Sequence, residues 1–426
     1  MIKLKKIIFS IIVLSIVFIS YLFYLHKFEE EKLKNYVRKY VWPNVSLKVQ
    51  AIVKIIYKDK YAKQFFNDYN VKFIPETQTN FLDLKKNNLE FLTGARGIYN
   101  KQTYRKSFFI ELYNQDILIT DIKGNFYYLA KKPLINNDIS SKNYFGVPSN
   151  LKPFQVLDTL IIDEKLFVSF VNKKENCHLL NIYFTEINYK GLDFKHFFSS
   201  TECMNTIIQG GRLQPYSLLN QPGILLTVGD SSTPDNLGGD AQDDNSIYGK
   251  IIFKSFEENK RHIIFSKGHR NPQGLFVENN LILSTEHGPR GGDEINKIEF
   301  QKNYGWPIAS YGNSYFDKSI VYKNSHKKNN FKEPIFSFIP SIGISELIKI
   351  ENNFDKAWED NFIVSSLNDE SLYRIKFSDD YSKIIFSEKI FIGERIRDLK
   401  YDNESKCIIL ALETNGNISF LCKKDI

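Results

Sequence analysis

Three short segments between residues 268 and 312 concentrate the residue types that bind charged ligands and cations. They read Gly-His-Arg-Asn-Pro-Gln-Gly from residue 268, Ser-Thr-Glu-His-Gly-Pro-Arg-Gly-Gly-Asp-Glu-Ile-Asn from residue 284, and Asn-Tyr-Gly-Trp-Pro from residue 303. Glycines let backbone carbonyls approach a ligand. Asp293 and Glu294 offer hard oxygen donors suited to calcium, while Arg270 and Asn271 offer donors to an anion or a quinone oxygen. Local turns would account for any one segment, but the three together predict a built ligand site.

The elements that position these segments are predicted to be strands. Residues 117–120 and 126–129 flank a Lys-Gly turn as the two arms of a hairpin. Similar runs occur at residues 166–170, 224–228, 250–254, 281–285, 362–366, 372–376, 408–412 and 418–421, and no long amphipathic helix intervenes. One sandwich core cannot bury so many strands, whereas four-stranded blades repeated around an axis can. Blades of about 50–60 residues predict an all-β fold, a six-bladed β-propeller over residues 78–426.

The chain before the propeller is predicted to hold a membrane anchor and a spacer. Residues 7–25 carry no charge, and as a helix they would span about 28 Å, close to the hydrocarbon thickness of a bilayer. Lysines precede this run and an acidic cluster follows it, so the positive-inside rule places the bulk outside the cytoplasm. We predict a transmembrane anchor over residues 1–26, a helical stalk over 27–77 and a periplasmic propeller, with a cleaved signal peptide as the alternative.

Cysteine positions also agree with export. Cys177 and Cys203 lie symmetrically about position 190, and Cys407 and Cys422 flank a turn-like Thr-Asn-Gly-Asn. Each pair could face across a hairpin, and two such disulfides would persist in an oxidising compartment. Four unpaired buried thiols remain the alternative.

The charge distribution argues against a nucleic-acid partner. The formal charge is +8, but residues 1–60 hold twelve Lys and Arg against four Asp and Glu, which leaves 45 of each over residues 61–426. A nucleic-acid binder needs a basic face on its folded domain. No P-loop, Rossmann or Gly-x-Ser-x-Gly pattern is present either.

These motifs closely resemble the PQQ-dependent aldose sugar dehydrogenases, the glucose/sorbosone dehydrogenase family of six-bladed propellers. The resemblance is most specific over residues 268–312 and extends to Gly-Gly-Arg-Leu from residue 210 and Gly-Glu-Arg-Ile-Arg-Asp from residue 393. It implies that PQQ and calcium are the cofactors. It also implies that the carbonyls of Gly288 and Pro289 hold the calcium that binds PQQ, and that Glu294 and Tyr304 match positions holding a second, structural calcium.

The resemblance further implies how the protein would contact PQQ. Arg270 and Asn271 match residues that contact the quinone, and Arg395 and Arg397 match residues that meet its carboxylates. The second assignment makes physical sense, because an Arg-x-Arg pair on a strand aims both guanidinia to one side, where each can take a carboxylate bidentately.

The chain departs from the family pattern where a general base is expected. Family members carry a His before a Val-Ser-Tyr strand, and residues 155–163 contain none. The His that usually precedes Gly-Gly-Arg-Leu is replaced by Ile208 and Gln209, and a family Lys is replaced by Asn368. Asp163 lies one place beyond the position where the general-base His is expected, and it is the candidate replacement base.

Two functions therefore follow from the sequence. The first is a membrane-tethered, extracytoplasmic oxidoreductase that uses PQQ and calcium to oxidise an aldose sugar at C1. The alternative is a catalytically degenerate, calcium-braced propeller that binds a sugar or a partner. The sequence does not indicate which sugar or which electron acceptor is used.

Overall fold

The computed structural model describes residues 84–90, 107–131, 143–146, 148, 150–175, 177–202, 209–230, 239–314, 321–323, 325–414 and 416–423. All of them lie in the second of the two units into which the chain divides, Ile74–Ile426. The predicted anchor over residues 1–26 and most of the stalk over 27–77 belong to the first, and both segments lie outside the described residues. Among the helices of the described ranges, none combines the length and the hydrophobicity that a membrane span requires.

The described strands form six antiparallel sheets of four strands each. The first described strand is β1 (Leu84–Glu90). Blade 1 contains β2 (Phe108–Tyr113), β3 (Asp116–Asp121), β4 (Phe126–Ala130) and β5 (Asn143–Gly146), and blade 2 contains β6 (Gln155–Ile162), β7 (Lys165–Lys174), β8 (Cys177–Glu186) and β9 (Lys195–Ser199). Blade 3 contains β10 (Gly210–Leu218), β11 (Gln221–Val228), β12 (Lys250–Ser255) and β13 (Ile263–Lys267), and blade 4 contains β14 (Pro272–Glu278), β15 (Leu281–Glu286), β16 (Asp293–Lys297) and β17 (Phe336–Phe338). Blade 5 contains β18 (Ile344–Lys349), β19 (Asn361–Ser366), β20 (Ser371–Phe377) and β21 (Ile384–Phe391), and blade 6 contains β22 (Ile396–Asp402), β23 (Cys407–Leu412), β24 (Asn417–Lys423) and β1.

The ring of blades closes through the N-terminal strand. β1 pairs antiparallel with β24 along its whole length and becomes the outer strand of blade 6. The innermost strands β2, β6, β10, β14, β18 and β22 contact one another in sequence, and β22 contacts β2 to complete the ring. The prediction of an all-β, six-bladed propeller is confirmed.

The apolar core lies between the blades. Among the described residues, six of the clusters of buried apolar side chains lie between blades, one for each neighbouring pair of facing sheets. This arrangement buries both faces of every sheet, which explains why most strands read as nearly continuous apolar runs. Helical structure in the described ranges includes three single-turn 3₁₀ helices, Asp240–Gln242, Lys327–Asn329 and Lys356–Trp358.

The hairpin and disulfide predictions are confirmed where the structure describes them. Gly124 turns the β3–β4 connection with a φ of 80°, in the left-handed region that favours glycine. Cys407 and Cys422 stand directly opposite each other on β23 and β24 and form a disulfide. Cys177 is also disulfide-bonded, and its expected partner Cys203 lies outside the described residues.

β-Bulges interrupt five of the six inner strands close to where they begin. The register shifts early in β6, β10, β14, β18 and β22. A bulge bends the strand and re-aims a side chain. The residues within these bulges include four charged or amide-bearing side chains that meet around the central channel: Arg212, Gln273, Glu346 and Arg397.

Candidate active site

The predicted site segments come together at the end of the channel where the inner strands begin, which we call the site end. Residues 268–271 lead into β14, residues 287–292 follow β15, and residues 393–395 lead into β22. The starts of β14 and β22 are joined directly, because Arg397 Nη1 donates to Gln273 Oε1 at 2.9 Å. Segments more than 100 residues apart therefore meet in one place.

Arg270 is fixed across this end of blade 4. Its Nη1 donates to the carbonyl oxygens of His287 (3.1 Å) and Gly288 (2.9 Å). Its guanidinium lies over the Trp306 ring, 5.3 Å from the centroid, and its backbone N–H donates to the carboxylate of Glu286. The guanidinium is thus held in one orientation at the site.

His269 has a structural role. Its side chain is fully buried, with Nδ1 3.0 Å from Glu286 Oε2 and Nε2 2.8 Å from the Ser266 hydroxyl. Its ring stacks on Tyr304 with centroids 4.7 Å apart. Both ring nitrogens are occupied, so His269 has no free lone pair for a substrate proton.

Asn271 and His287 form a polar pair beside Arg270. The Asn271 amide nitrogen lies 3.3 Å from His287 Nδ1, and its amide oxygen accepts from Gln273 Nε2 at 2.8 Å. His287 Nε2 is buried and has no hydrogen-bond partner among the described residues. Burial lowers the pKa of His287 below its ordinary value, which favours the neutral ring.

Arg395 and Arg397 converge on one buried carboxylate, Glu413. Arg395 Nε donates to Glu413 Oε1 at 2.6 Å, and Arg397 Nε and Nη2 both lie 2.8 Å from Oε2. Against the cost of burial, the two guanidinia and the Ser107 hydroxyl hold the pKa of Glu413 well below its usual range. The cluster of Arg395, Arg397 and Glu413 therefore carries a net charge of +1. The prediction that both guanidinia of the Arg-x-Arg pair point to one side is confirmed, although Arg395 precedes the strand.

The four residues predicted to bind calcium line a single cavity. Gly288, Pro289, Glu294 and Tyr304 all contribute to it. Glu294 is buried, and burial together with the nearby charge of Glu286 raises its carboxyl pKa well above the ordinary value. Such a carboxyl group is neutral unless a cation joins it.

The donor set fits calcium only in part. Carboxylate and carbonyl oxygens are suitable ligands, but the Gly288 carbonyl already accepts from Arg270. The Tyr304 hydroxyl donates to Lys297 O at 2.6 Å and accepts from Glu299 N at 2.9 Å, so the phenol is engaged elsewhere. Any ligand from Tyr304 would therefore be its carbonyl. No group of three or more His, Cys, Asp or Glu in the described chain could hold a metal.

The prediction that Asp163 replaces the missing base is wrong. Asp163 is exposed in the β6–β7 turn, where Ile162 pairs with Lys165. The site lies at the other end of β6, and eight residues of strand separate the two ends by about 25 Å. Gln209, at the second position where a His is expected, immediately precedes β10 at the site end, and its carbonyl accepts from Gly229 N at 2.9 Å. Its neighbour Ile208 lies outside the described residues.

Sequence reasoning missed Glu413 and Gln273. Glu413 is 16 and 18 residues from the arginines that it pairs with, and the only local signal is an acidic residue directly after an apolar strand. Gln273 lies inside the singled-out segment from residue 268, but its amide gave no reason to choose it. A buried acid opposite an Arg-x-Arg pair in the neighbouring strand is the signal that could have been used.

Comparison with known proteins identifies the family. The sequence model described as "Glucose / Sorbosone dehydrogenase" matches residues 161–420. The chain belongs to this family. A segment of 166 residues, 38% of the chain, is 30% identical to the aldose sugar dehydrogenase YliI of Escherichia coli and covers 44% of that protein. The chain spans about half the length of the curated relatives that it matches.

Two solved structures have the same fold as this family member. The soluble aldose sugar dehydrogenase of Escherichia coli, in its apo form, gives a TM-score of 0.63 at 19% identity over 80% of this chain and 100% of that one. The PQQ-bound aldose sugar dehydrogenase of Streptomyces coelicolor gives a TM-score of 0.56 at 17% identity over 80% and 99% of the two chains. At these identities the similarity concerns the propeller fold.

Proposed function

We propose that the protein is an oxidoreductase that oxidises an aldose sugar at C1 and uses PQQ with calcium. The observation that carries this proposal is the convergence of Arg395 and Arg397 on Glu413, at the same end of the channel as Arg270 and Asn271. When bound, PQQ would accept the two electrons of the sugar C1–H bond. The relatives named for sugar oxidation and for bound PQQ support this assignment.

The protein's own groups would bind and orient the cofactor. PQQ is a tricarboxylate, and the +1 cluster of Arg395, Arg397 and Glu413 would attract it and donate charge-assisted hydrogen bonds. Arg270 and Asn271, held on blade 4, would donate to the quinone side. Calcium would be held by the carbonyls that line the cavity next to Glu294, where a cation would compensate the buried carboxylate.

A binding module without turnover is the second candidate, and the lack of a base at the three positions considered favours it. Oxidation at C1 requires an acceptor for the hydroxyl proton, which contributes about 10²–10⁴-fold to the rate. Asp163 lies at the far end of the propeller, His269 is occupied at both nitrogens, and the His expected before Gly-Gly-Arg-Leu is replaced by Ile208 and Gln209. A calcium-braced propeller that binds a sugar or a partner would need no such group.

The proposed location is the extracytoplasmic face of the cytoplasmic membrane. The uncharged run at residues 7–25, flanked by lysines on its N-terminal side, supports an anchor. Disulfides at Cys177 and between Cys407 and Cys422 support an oxidising compartment. Recovery of the full-length chain with reduced thiols in the soluble cytoplasmic fraction would contradict this location.

The deciding experiment titrates the full-length protein with PQQ in the presence of calcium and then assays aldose-dependent dye reduction. Arg397→Ala should weaken PQQ binding by at least about tenfold, because it removes charge-assisted contacts. The control is Arg261→Ala, which changes an exposed arginine on another surface. No affinity of the wild-type protein for PQQ would overturn the proposal. PQQ binding without any sugar oxidation would instead support the binding module.

A further inference from the structure

A chain of four side chains crosses the site end from blade 6 to blade 4. Arg397 Nη1 donates to Gln273 Oε1 at 2.9 Å, and Gln273 Nε2 donates to Asn271 Oδ1 at 2.8 Å. The Asn271 amide nitrogen then lies 3.3 Å from His287 Nδ1. The chain ends at His287 Nε2, which is buried, lines the cavity and has no hydrogen-bond partner among the described residues.

The polarity of this chain is fixed at its first member. A guanidinium can only donate, so the amide oxygen of Gln273 must face Arg397 and its NH₂ group must face Asn271. The oxygen of Asn271 must then accept, and its NH₂ group must face His287. An amide N–H can only donate, so Nδ1 of His287 must accept and its proton must reside on Nε2.

We propose that Gln273 is a positioning residue that, through Asn271, holds His287 as the Nε2–H tautomer, so that this N–H is a donor for a ligand oxygen in the cavity. His287 is therefore a ligand-binding donor and not the missing base. The identity of that ligand as PQQ rests on the proposed function, whereas the tautomer does not. The Ile344 backbone lies near the ring.

The backbone around Gln273 is built to keep this orientation. Gln273 lies in the β14 bulge, between the pairs Pro272–Glu286 and Gly274–Thr285, and has no partner on β15. Its carbonyl instead accepts from Arg212 Nε in the channel at 2.6 Å. Gln273 is thus held at both its backbone and its amide, and a single orientation results.

Nitrogen-15 NMR of histidine-labelled protein tests the tautomer without any ligand. The His287 signal is assigned by its loss in His287→Gln, and the two-bond nitrogen–proton pattern should show a protonated Nε2 in the wild-type protein. Gln273→Glu should convert this to a mixture, because a carboxylate still accepts from Arg397 but cannot donate to Asn271. Gln242→Met is the matched control. It removes another Gln–Asn amide pair, between Gln242 and Asn303, which is not part of the four hydrogen-bonded side chains from Arg397 to His287.

PQQ titration tests the ligand. His287→Phe should weaken PQQ binding by about tenfold or more, and His287→Gln, which keeps an N–H at the position of Nε2, should stay within about threefold. A protonated Nδ1 in the wild-type protein, or an unchanged tautomer in Gln273→Glu, overturns the inference. Failure of the wild-type protein to bind PQQ overturns the proposed function and the ligand assignment, while the NMR result still decides the tautomer.

Discussion

Two buried glutamates near the channel show how neighbours decide the charge of a carboxyl group. Glu413 has two guanidinia and a hydroxyl around it, and its pKa is held low against burial. Glu111 is also buried, and burial raises its pKa to about 8 because Lys400, 2.9 Å away, only partly offsets it, while Asp398 and Asp158 add to the rise. Glu413 is therefore charged at neutral pH, and Glu111 is mostly protonated.

The raised pKa of Glu111 predicts a stability that falls with pH. Between the ordinary value of 4.5 and about 8, the folded protein holds a proton that the unfolded chain releases, so this contribution is full below pH 4.5 and is lost as pH rises to about 8. Glu111→Gln cannot ionise. The melting temperature of the variant relative to the wild-type protein should therefore increase from pH 5 to pH 9, by at least about 2 °C.

The matched control for this measurement is Glu278→Gln. Glu278 also pairs with a lysine, Lys349, at 2.7 Å, but its side chain is 42% exposed. Its melting difference from the wild-type protein should stay nearly constant with pH. Equal pH slopes in Glu111→Gln and the wild-type protein would contradict the burial argument.

At the residue scale, only features that follow from a local pattern could be predicted from the sequence. Arg395 and Arg397 were predictable because a two-residue spacing sets their direction along the chain. Glu413 and Gln273 were not, since their partners come from distant or bulged positions. Asp163 was misplaced because nothing in residues 155–163 indicates which end of β6 faces the site.

At the element scale, strands were predictable and bulges were not. The apolar runs singled out in the sequence correspond to strands in every blade, because burial on both sheet faces determines their composition. A bulge inserts one residue without changing that composition, so no pattern indicated that the side chain of Gln273 would turn into the channel. The closing role of β1 was likewise invisible, because it depends on pairing with β24 at the other end of the chain.

The disulfide of blade 6 should stabilise the closure of the ring. Cys407 and Cys422 link β23 to β24, and Cys422 also pairs with Lys85 of β1. The bridge closes a loop of 15 residues, for which chain entropy predicts about 3 kcal/mol. The double variant Cys407→Ala, Cys422→Ala should lose about this much in urea unfolding, with faster hydrogen exchange in β24 and β1.

The control for the blade 6 disulfide is Cys177→Ala. Cys177 is disulfide-bonded in blade 2, so its replacement should leave exchange in β24 and β1 unchanged. Equal exchange in β24 and β1 for the double variant and the wild-type protein would show that strand pairing alone closes the ring.

At the scale of the whole molecule, one arginine contacts all the inner strands. Arg212, from β10, forms ion pairs with three carboxylates, donates to two carbonyls and lies over one ring, and these partners come from each of the other five inner strands: Phe109, Asp158, Gln273, Glu346, Arg397 and Asp398. Its side chain is 4% exposed. The Gly-Gly-Arg-Leu motif thus supplies an arginine that joins the inner strands of all six blades.

Removal of the Arg212 guanidinium should destabilise all six blades together. Arg212→Met keeps the volume but leaves three buried carboxylates without their cation, and breaking a buried ion pair in this way costs about 3–5 kcal/mol. The control is Arg374→Met, which is equally buried but meets its one carboxylate, Glu388, within blade 5. We expect Arg212→Met to lose more stability in urea and to exchange faster along the inner strands of every blade, whereas Arg374→Met should affect blade 5 alone.

If Arg212→Met does not fold, Arg212→Lys should show a smaller loss with the same ring-wide pattern, because an ammonium keeps the charge but cannot reach both carbonyls. A loss confined to blade 3 would mean that the blades are held by their apolar interfaces and that the central charges are not needed to join them.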